Sequence, residues 1–126
     1  MPQYMLLIYA PTDRPPSGER LPRWQEYHDN LQRDGALLSS GRLENLHAAT
    51  SVRVQSGETL ITDGPFAETK EFLGGFFLVE CPDLDTALRY AAQMPMEDYG
   101  TVEVRPMMYP ANTPASEMQY QEQAQA

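Results

Sequence analysis

The sequence has very little cysteine and histidine, and each shortage excludes a class of site. A single cysteine, Cys81, among 126 residues excludes an internal disulfide framework and a cysteine-based zinc cluster. The two histidines, His28 and His47, lack the spacing of a metal-binding pair, so neither a metal nor another cofactor is predicted. Cys81 falls in a predicted strand, where an unreactive buried thiol is expected.

Long apolar runs and an excess of positive charge are also missing. No stretch approaches the roughly 20 apolar residues of a membrane-spanning helix, and the first nine residues lack the basic segment of a signal peptide. We therefore expect a cytoplasmic protein without membrane contact. With 18 acidic and 9 basic side chains, the net charge of −9 argues against a nucleic-acid partner.

Strand-like and helix-like patterns alternate along residues 1–109, which are predicted to form one domain. The predicted strands are 3–9, 36–41, 73–81 and 101–105, the helices are 21–34 and the segment that follows Asp83, and a hairpin spans 51–62. This order predicts an α+β, ferredoxin-like βαββαβ fold with an inserted hairpin and an antiparallel sheet. Residues 110–126 are polar and low in complexity, and we expect a flexible tail or one docked on a partner subunit.

Both helices of this plan cover the same face of the sheet. Residues 76–81 are apolar on both faces of their strand, which argues against leaving the second face to water. We therefore expect a homodimer formed through the open sheet face, with a small-molecule ligand in a pocket between the subunits.

The segment 63–71, DGPFAETKE, concentrates charge beside a Gly-Pro turn and an aromatic residue. Asp63 is the candidate general acid or base of a catalytic site. Phe66, Lys70 and Glu71 are candidate ligand-binding residues, and Lys70 is the only lysine in the chain. The alternative is a turn in which Asp63 binds its own backbone and the Glu-x-Lys pattern is solvated.

His28 and Trp24 lie one turn apart on the first predicted helix, so they can share a face. His28 is the second candidate catalytic residue, because histidine exchanges protons near neutral pH. Trp24 is a candidate ligand-binding residue. The alternative is a surface histidine that meets neighbouring carboxylates or water.

DGPFAETKE followed by LGGFFLVE, with the opening YMLLIY and the ending VEVRPMM, resembles the YCII-related family and, within it, the DGPF subgroup. The resemblance implies a ferredoxin-like unit that pairs into a dimeric α/β barrel. It also implies relatives linked to extracytoplasmic-function sigma factors. A His–Asp active site is proposed for some relatives, and one is a dehydrochlorinase of a chlorinated hydroxyquinone. The histidine of that pair corresponds here to Trp24, whereas Asp63 matches the motif aspartate.

Three interpretations follow. The first is a small-molecule enzyme that uses Asp63, assisted by His28 or Lys70, on a cyclic or aromatic substrate. The second is a non-catalytic ligand-binding or regulatory dimer linked to sigma-factor-associated transcription, whose acidic surface suits a basic protein partner. The third is a purely structural motif that shapes a loop at the dimer interface.

Overall fold

Four antiparallel strands form the main sheet in the computed structural model, which describes residues 1–11, 20–67 and 69–119. In chain order the elements are β1 (Gln3–Ala10), α1 (Leu21–Arg33), β2 (Leu37–Arg42), β3 (Thr50–Gln55), β4 (Glu58–Asp63), β5 (Phe72–Glu80), α2 (Leu84–Ala92) and β6 (Thr101–Pro106). The strand order in the main sheet is β2-β5-β1-β6, and β3 pairs with β4 in a separate sheet. This is the split βαβ plan, so the predicted ferredoxin-like fold and the inserted hairpin are confirmed.

The end of α1 follows the prediction from its glycine. Gly35 has a φ of 71°, and its N–H donates to the carbonyl of Gln32, while the N–H of Ala36 donates to the carbonyl of Leu31. These two bonds form a Schellman motif, which favours glycine at the left-handed position. The motif turns the chain directly into β2.

Asp83 caps α2, as its position before the apolar stripe predicts. Its Oδ1 accepts hydrogen bonds from the backbone N–H of Thr86 at 2.8 Å and from the Thr86 hydroxyl at 2.7 Å. These hydrogen bonds lower the pKa of the Asp83 carboxyl. Nearby Cys81 is buried just after β5, where burial raises the pKa of its thiol, as expected of an unreactive cysteine.

Side chains alternate between the two faces of the sheet, and the core occupies the helix side. Tyr4 and Leu6 of β1 and Phe77 and Val79 of β5 belong to this core, which α1 completes with Leu31. β5 lies between β2 and β1, in agreement with the central position predicted from its apolar sequence.

The open face of the sheet carries the alternate residues of the same strands. Met5 pairs with Leu78, and Leu7 pairs with Phe76, on the side away from the helices. Leu78 is buried there outside the main core cluster, whereas the other three are partly exposed. An apolar surface therefore lies opposite the helices.

Two adjacent glycines of β5 have different roles. Gly74 is the additional residue in a bulge, because Ile8 pairs with Gly75 while the next residue of β1 pairs with Leu73. A Cβ on Gly75 would lie 2.7 Å from the carbonyl oxygen of Gly41, so this glycine lets β2 approach closely.

The β3–β4 hairpin makes few contacts with the rest of the described chain. Val52 pairs with Ile61, and Thr50 pairs with Asp63 on the same face. Val52, Val54 and Ile61 are all exposed on this face. Because an isolated two-stranded sheet is marginally stable in water, the hairpin is expected to pack on a further surface.

The chain after β6 is fastened to β1. The backbone N–H of Met107 donates to the carbonyl of Gln3 at 2.9 Å, and that of Ala111 donates to the Gln3 Oε1 at 2.8 Å. Residues 110–119 include one short 3₁₀ turn, and the rest of the predicted tail lies outside the described residues. None of the helices in the described ranges is long and apolar enough to cross a membrane.

Candidate functional site

A cavity of about 710 Å³ opens between α1 and the β2–β5 edge of the sheet. We call it the helix-side cleft. Its walls come from the first two turns of α1, from the end of β2 with the loop that follows, and from the first half of β5. The end of β1, together with Met96 and Tyr99 in the connection after α2, completes the lining. Its volume suits a small metabolite.

Aromatic rings line the cleft where α1 meets β5. The Trp24 and Phe77 rings are nearly parallel, with centroids 6.2 Å apart and an interplanar angle of 6°. Tyr27 meets both rings edge-on, at 6.0 Å from Trp24 and 5.2 Å from Phe77. Tyr27 is buried, and its hydroxyl donates to the Tyr90 carbonyl at 2.7 Å. The cluster is therefore fixed by packing and by a hydrogen bond to α2.

His28 lies beside this cluster and lines the cleft together with Trp24. Its ring centroid is 6.5 Å from that of Phe77. The His28 Nδ1 is enclosed but has no hydrogen-bonding partner within the described ranges, and the nearest acidic oxygen, Asp29 Oδ1, is 3.8 Å away. That separation exceeds a hydrogen bond but allows an ion pair when the ring is protonated. An unpartnered enclosed nitrogen is uncommon in a folded protein, because most buried polar atoms bond a protein group or an ordered water.

Arginines hold the first turn of α1 against the chain after α2. The Arg20 guanidinium donates to the carbonyls of Pro95 and Glu97 and lies over the Tyr99 ring at 5.3 Å. Arg23 makes a bidentate ion pair with the Glu97 carboxylate, which lowers the pKa of Glu97. These contacts fix one end of the cleft, and Arg20 and Tyr99 line it there.

Arg42 lines the opposite side of the cleft, at the end of β2. It pairs with Gly75, so its side chain projects from the helix side of the sheet. No hydrogen bond or ion pair joins its guanidinium to any described residue. Sequence reasoning missed Arg42, because an arginine at the end of a short strand is ordinary and only the register places it across the cleft from α1.

The residues of the DGPF segment lie outside the cleft lining. Asp63 ends β4 on the exposed hairpin face, and Phe66 is 86% exposed. Lys70 is exposed, while the Glu71 carboxylate accepts a hydrogen bond from the Thr101 hydroxyl at 3.4 Å. The structure therefore brings Trp24 and His28 together at the cleft but does not bring the four motif residues to it. Glu68 lies outside the described residues.

The turn after Asp63 is held by backbone geometry. Gly64 has a φ of 97°, which favours glycine, and its N–H donates to the Ala49 carbonyl at 2.7 Å. The Ser51 hydroxyl donates to the Gly64 carbonyl at 2.7 Å. The Asp63 carboxylate makes no hydrogen bond or ion pair with a described residue. A serine and a glycine, rather than the aspartate, thus shape this turn.

We found no cluster of side chains that could hold a metal ion in the part of the chain that the structure describes. No three histidine, cysteine, aspartate or glutamate residues converge there as a candidate metal site. His47 is exposed in a short 3₁₀ turn, where its backbone N–H bonds the Asn45 side chain.

The model of the YCII-related domain matches residues 2–110, which include both helices and all six strands. The chain belongs to the YCII-related family. The resemblance seen in the sequence is thereby confirmed at the level of the family, while the DGPF subgroup stays a prediction.

The chain is similar in sequence to an uncharacterised protein of Rhizobium meliloti (strain 1021), with 45% identity over 75 residues. The match covers 58% of this chain and 60% of the relative, so the chain spans less than two thirds of that protein's length. Family membership agrees with the fold of this YCII-related protein, and the description of the relative names no activity.

Proposed function

We propose that this YCII-related protein is a small-molecule enzyme. It would transfer a proton between His28 and a carbon of a ligand held in the helix-side cleft. The observation that carries the proposal is the position of His28 on the cleft wall, with an enclosed Nδ1 that no described residue bonds. Histidine is the side chain best suited to exchange protons near neutral pH. The adjacent Trp24 and Phe77 rings supply an apolar surface against which a cyclic molecule can pack.

The Asp63 carboxylate, predicted from the sequence as the acid or base, lies at the end of β4 and is absent from the cleft lining. A role for Asp63 as acid or base requires that the carboxylate approach His28. The ligand-binding roles of Phe66, Lys70 and Glu71 depend on the same approach.

We also propose that the working unit is a homodimer formed through the open sheet face. Met5, Leu7 and Phe76 form an apolar surface on the side of the sheet that no helix covers. A second copy is the natural cover, because it presents the same apolar surface in a two-fold arrangement. The exposed hairpin face with Val52 and Ile61 would extend this contact.

The second candidate is a protein that binds a ligand in the cleft without catalysing a reaction, because the same cleft would suit an enzyme and a binding protein. A link to sigma-factor-associated transcription rests on the family resemblance, and it predicts that a sigma factor copurifies with the full chain. The two candidates differ in one measurable property, which is proton exchange on the bound molecule.

The test begins with a panel of cyclic metabolites, screened by the fluorescence of Trp24, the only tryptophan in the chain. Compounds that bind are then incubated with the protein in D₂O, and solvent deuterium entering a carbon-bound position is followed by NMR. The enzyme proposal predicts incorporation that is lost in His28→Gln and retained in Asp63→Asn. Binding without incorporation would favour the non-catalytic candidate, and loss of incorporation in Asp63→Asn alone would restore the aspartate as the acid or base.

A further inference from the structure

The charge in the helix-side cleft has the opposite sign to that of the chain. The protein carries 18 acidic and 9 basic side chains, yet the cleft is lined by Arg20, Arg42 and the titratable His28 against a single carboxylate, Glu44. A cleft that concentrates positive charge in an acidic protein attracts anions and disfavours cations.

The arginines of the chain differ in whether they are engaged. Arg23 and Arg105 bind the carboxylates of Glu97 and Glu103, and Arg20 bonds backbone carbonyls. Arg42 and Arg53 have no side-chain partner among the described residues, and only Arg42 lines the cleft. The guanidinium of Arg42 is therefore available to a ligand.

We propose that the helix-side cleft selects a small anionic molecule whose carboxylate, or an equivalent planar oxyanion, pairs with Arg42 while its apolar part packs on Trp24 and Phe77. The inference rests on the proposed function and adds the chemical class of its ligand. Arginine suits this task because its planar fork of N–H donors matches a carboxylate in bidentate geometry. Gly75, the strand partner of Arg42, lets β2 lie close to β5 and so helps to fix the position of Arg42 at the cleft.

The positions of the groups also define the orientation of the ligand. Arg42 projects from the β2 side, whereas Trp24 and His28 come from α1, on the other side of the cleft. A molecule bound by its oxyanion at Arg42 would extend its apolar part across Phe77 toward α1. This arrangement places the apolar part of the ligand on the side of the cleft that carries the His28 ring.

The probes are benzoate and cyclohexanecarboxylate, each compared with its neutral carboxamide by Trp24 fluorescence titration. The wild-type protein should bind each carboxylate more tightly than the matching carboxamide. Arg42→Gln should weaken carboxylate binding about tenfold or more, the scale expected for a lost charge-assisted hydrogen bond. Carboxamide binding should change little in the same variant.

Arg53→Gln is the matched control, because it removes the same charge from the exposed hairpin, outside the cleft. It should bind both probes as the wild type does. Equal affinity for carboxylates and carboxamides, or equal loss in Arg42→Gln and Arg53→Gln, would overturn the anion inference and leave the cleft as the site. If neither probe pair binds while neutral panel compounds do, the anion inference fails alone; if nothing in the panel binds, the proposed function fails with it.

Discussion

Trp24 stacks on Phe77 with ring centroids 6.2 Å apart and planes within 6° of parallel. This contact joins α1 to the central strand β5 and lies on the wall of the helix-side cleft. His28, one turn further along α1, completes the same wall. Binding at the cleft should therefore be reported by the only tryptophan in the chain.

Replacing each of the two adjacent glycines of β5 by alanine should change the stability of the protein to a different extent. A Cβ at Gly75 would lie 2.7 Å from the carbonyl oxygen of Gly41, whereas a Cβ at Gly74 would meet only the Ile8 carbonyl, at 3.8 Å. We expect Gly75→Ala to lower the free energy of unfolding by about 1–3 kcal/mol, because the β2 backbone must move. Gly74→Ala, the control, should stay within about 0.5 kcal/mol of wild type in urea denaturation. Equal effects of the two variants would contradict the assigned strand register.

The cap of α2 predicts a pH-dependent contribution to stability. The hydrogen bonds from Thr86 lower the pKa of Asp83 in the folded protein below its unfolded value of about 3.9. The carboxylate therefore stabilises the fold at pH values above about 4, and this contribution is lost as the pH falls through the folded pKa. Asp83→Asn keeps a capping oxygen but cannot titrate.

Urea denaturation between pH 7 and pH 2.5 checks this prediction. Wild type should be more stable than Asp83→Asn at neutral pH, and the difference should shrink at the acidic end. Glu58→Gln, an exposed carboxylate without a side-chain partner in the described chain, should show no such change. A difference that stays constant with pH would show that the charge of Asp83 does not contribute.

Variants in the turn after β4 can show whether Asp63 has a structural role in the DGPF segment. Ser51 donates to the Gly64 carbonyl at 2.7 Å, while the Asp63 carboxylate bonds no described residue. We expect Ser51→Ala to cost about 1 kcal/mol in the free energy of unfolding, and Asp63→Asn less than about 0.5 kcal/mol. If Asp63→Asn proves the more destabilising variant, the aspartate shapes the turn after all.

The proposed homodimer predicts a change of mass when its apolar surface is charged. Leu7 lies on the open sheet face opposite Phe76, so Leu7→Asp should place an unpaired carboxylate in the interface and yield monomers. Leu88→Asp is the control, because Leu88 is exposed on α2. Light scattering coupled to size-exclusion chromatography measures both masses, and circular dichroism verifies that the variants fold. A monomeric wild type would refute the dimer proposal.

Most of the fold could be predicted from local patterns. Gly35 marks the end of α1 and Asp83 the start of α2, because each fills a backbone position that few other residues suit. The apolar run of β5 predicted its central place in the sheet. These features depend on residues that are close together in the sequence, so they can be predicted from one sequence alone.

The site was less accessible to sequence reasoning. Trp24 and His28 could be paired because they are one helical turn apart, but Arg42 faces them only through the register of β2 against β5. Register over a bulged strand depends on long-range packing, which no local pattern encodes. The charge-rich segment around Asp63 attracted attention by its composition, yet Asp63 ends the β3–β4 hairpin and no described residue of the segment lines the cleft.

The most direct test of the cleft as the functional site is an NMR experiment on protein labelled with ¹³C at its methionine methyls and with ¹⁵N throughout. Met96 lines the cleft, Met5 lies on the open sheet face, and Met108 is exposed after β6. With the strongest-binding compound of the panel, we expect the signals of the Met96 methyl and the Trp24 indole N–H to shift, while those of Met5 and Met108 do not. Shifts at Met5 without a change at Met96 would place binding at the open sheet face and rule out the helix-side cleft as the site.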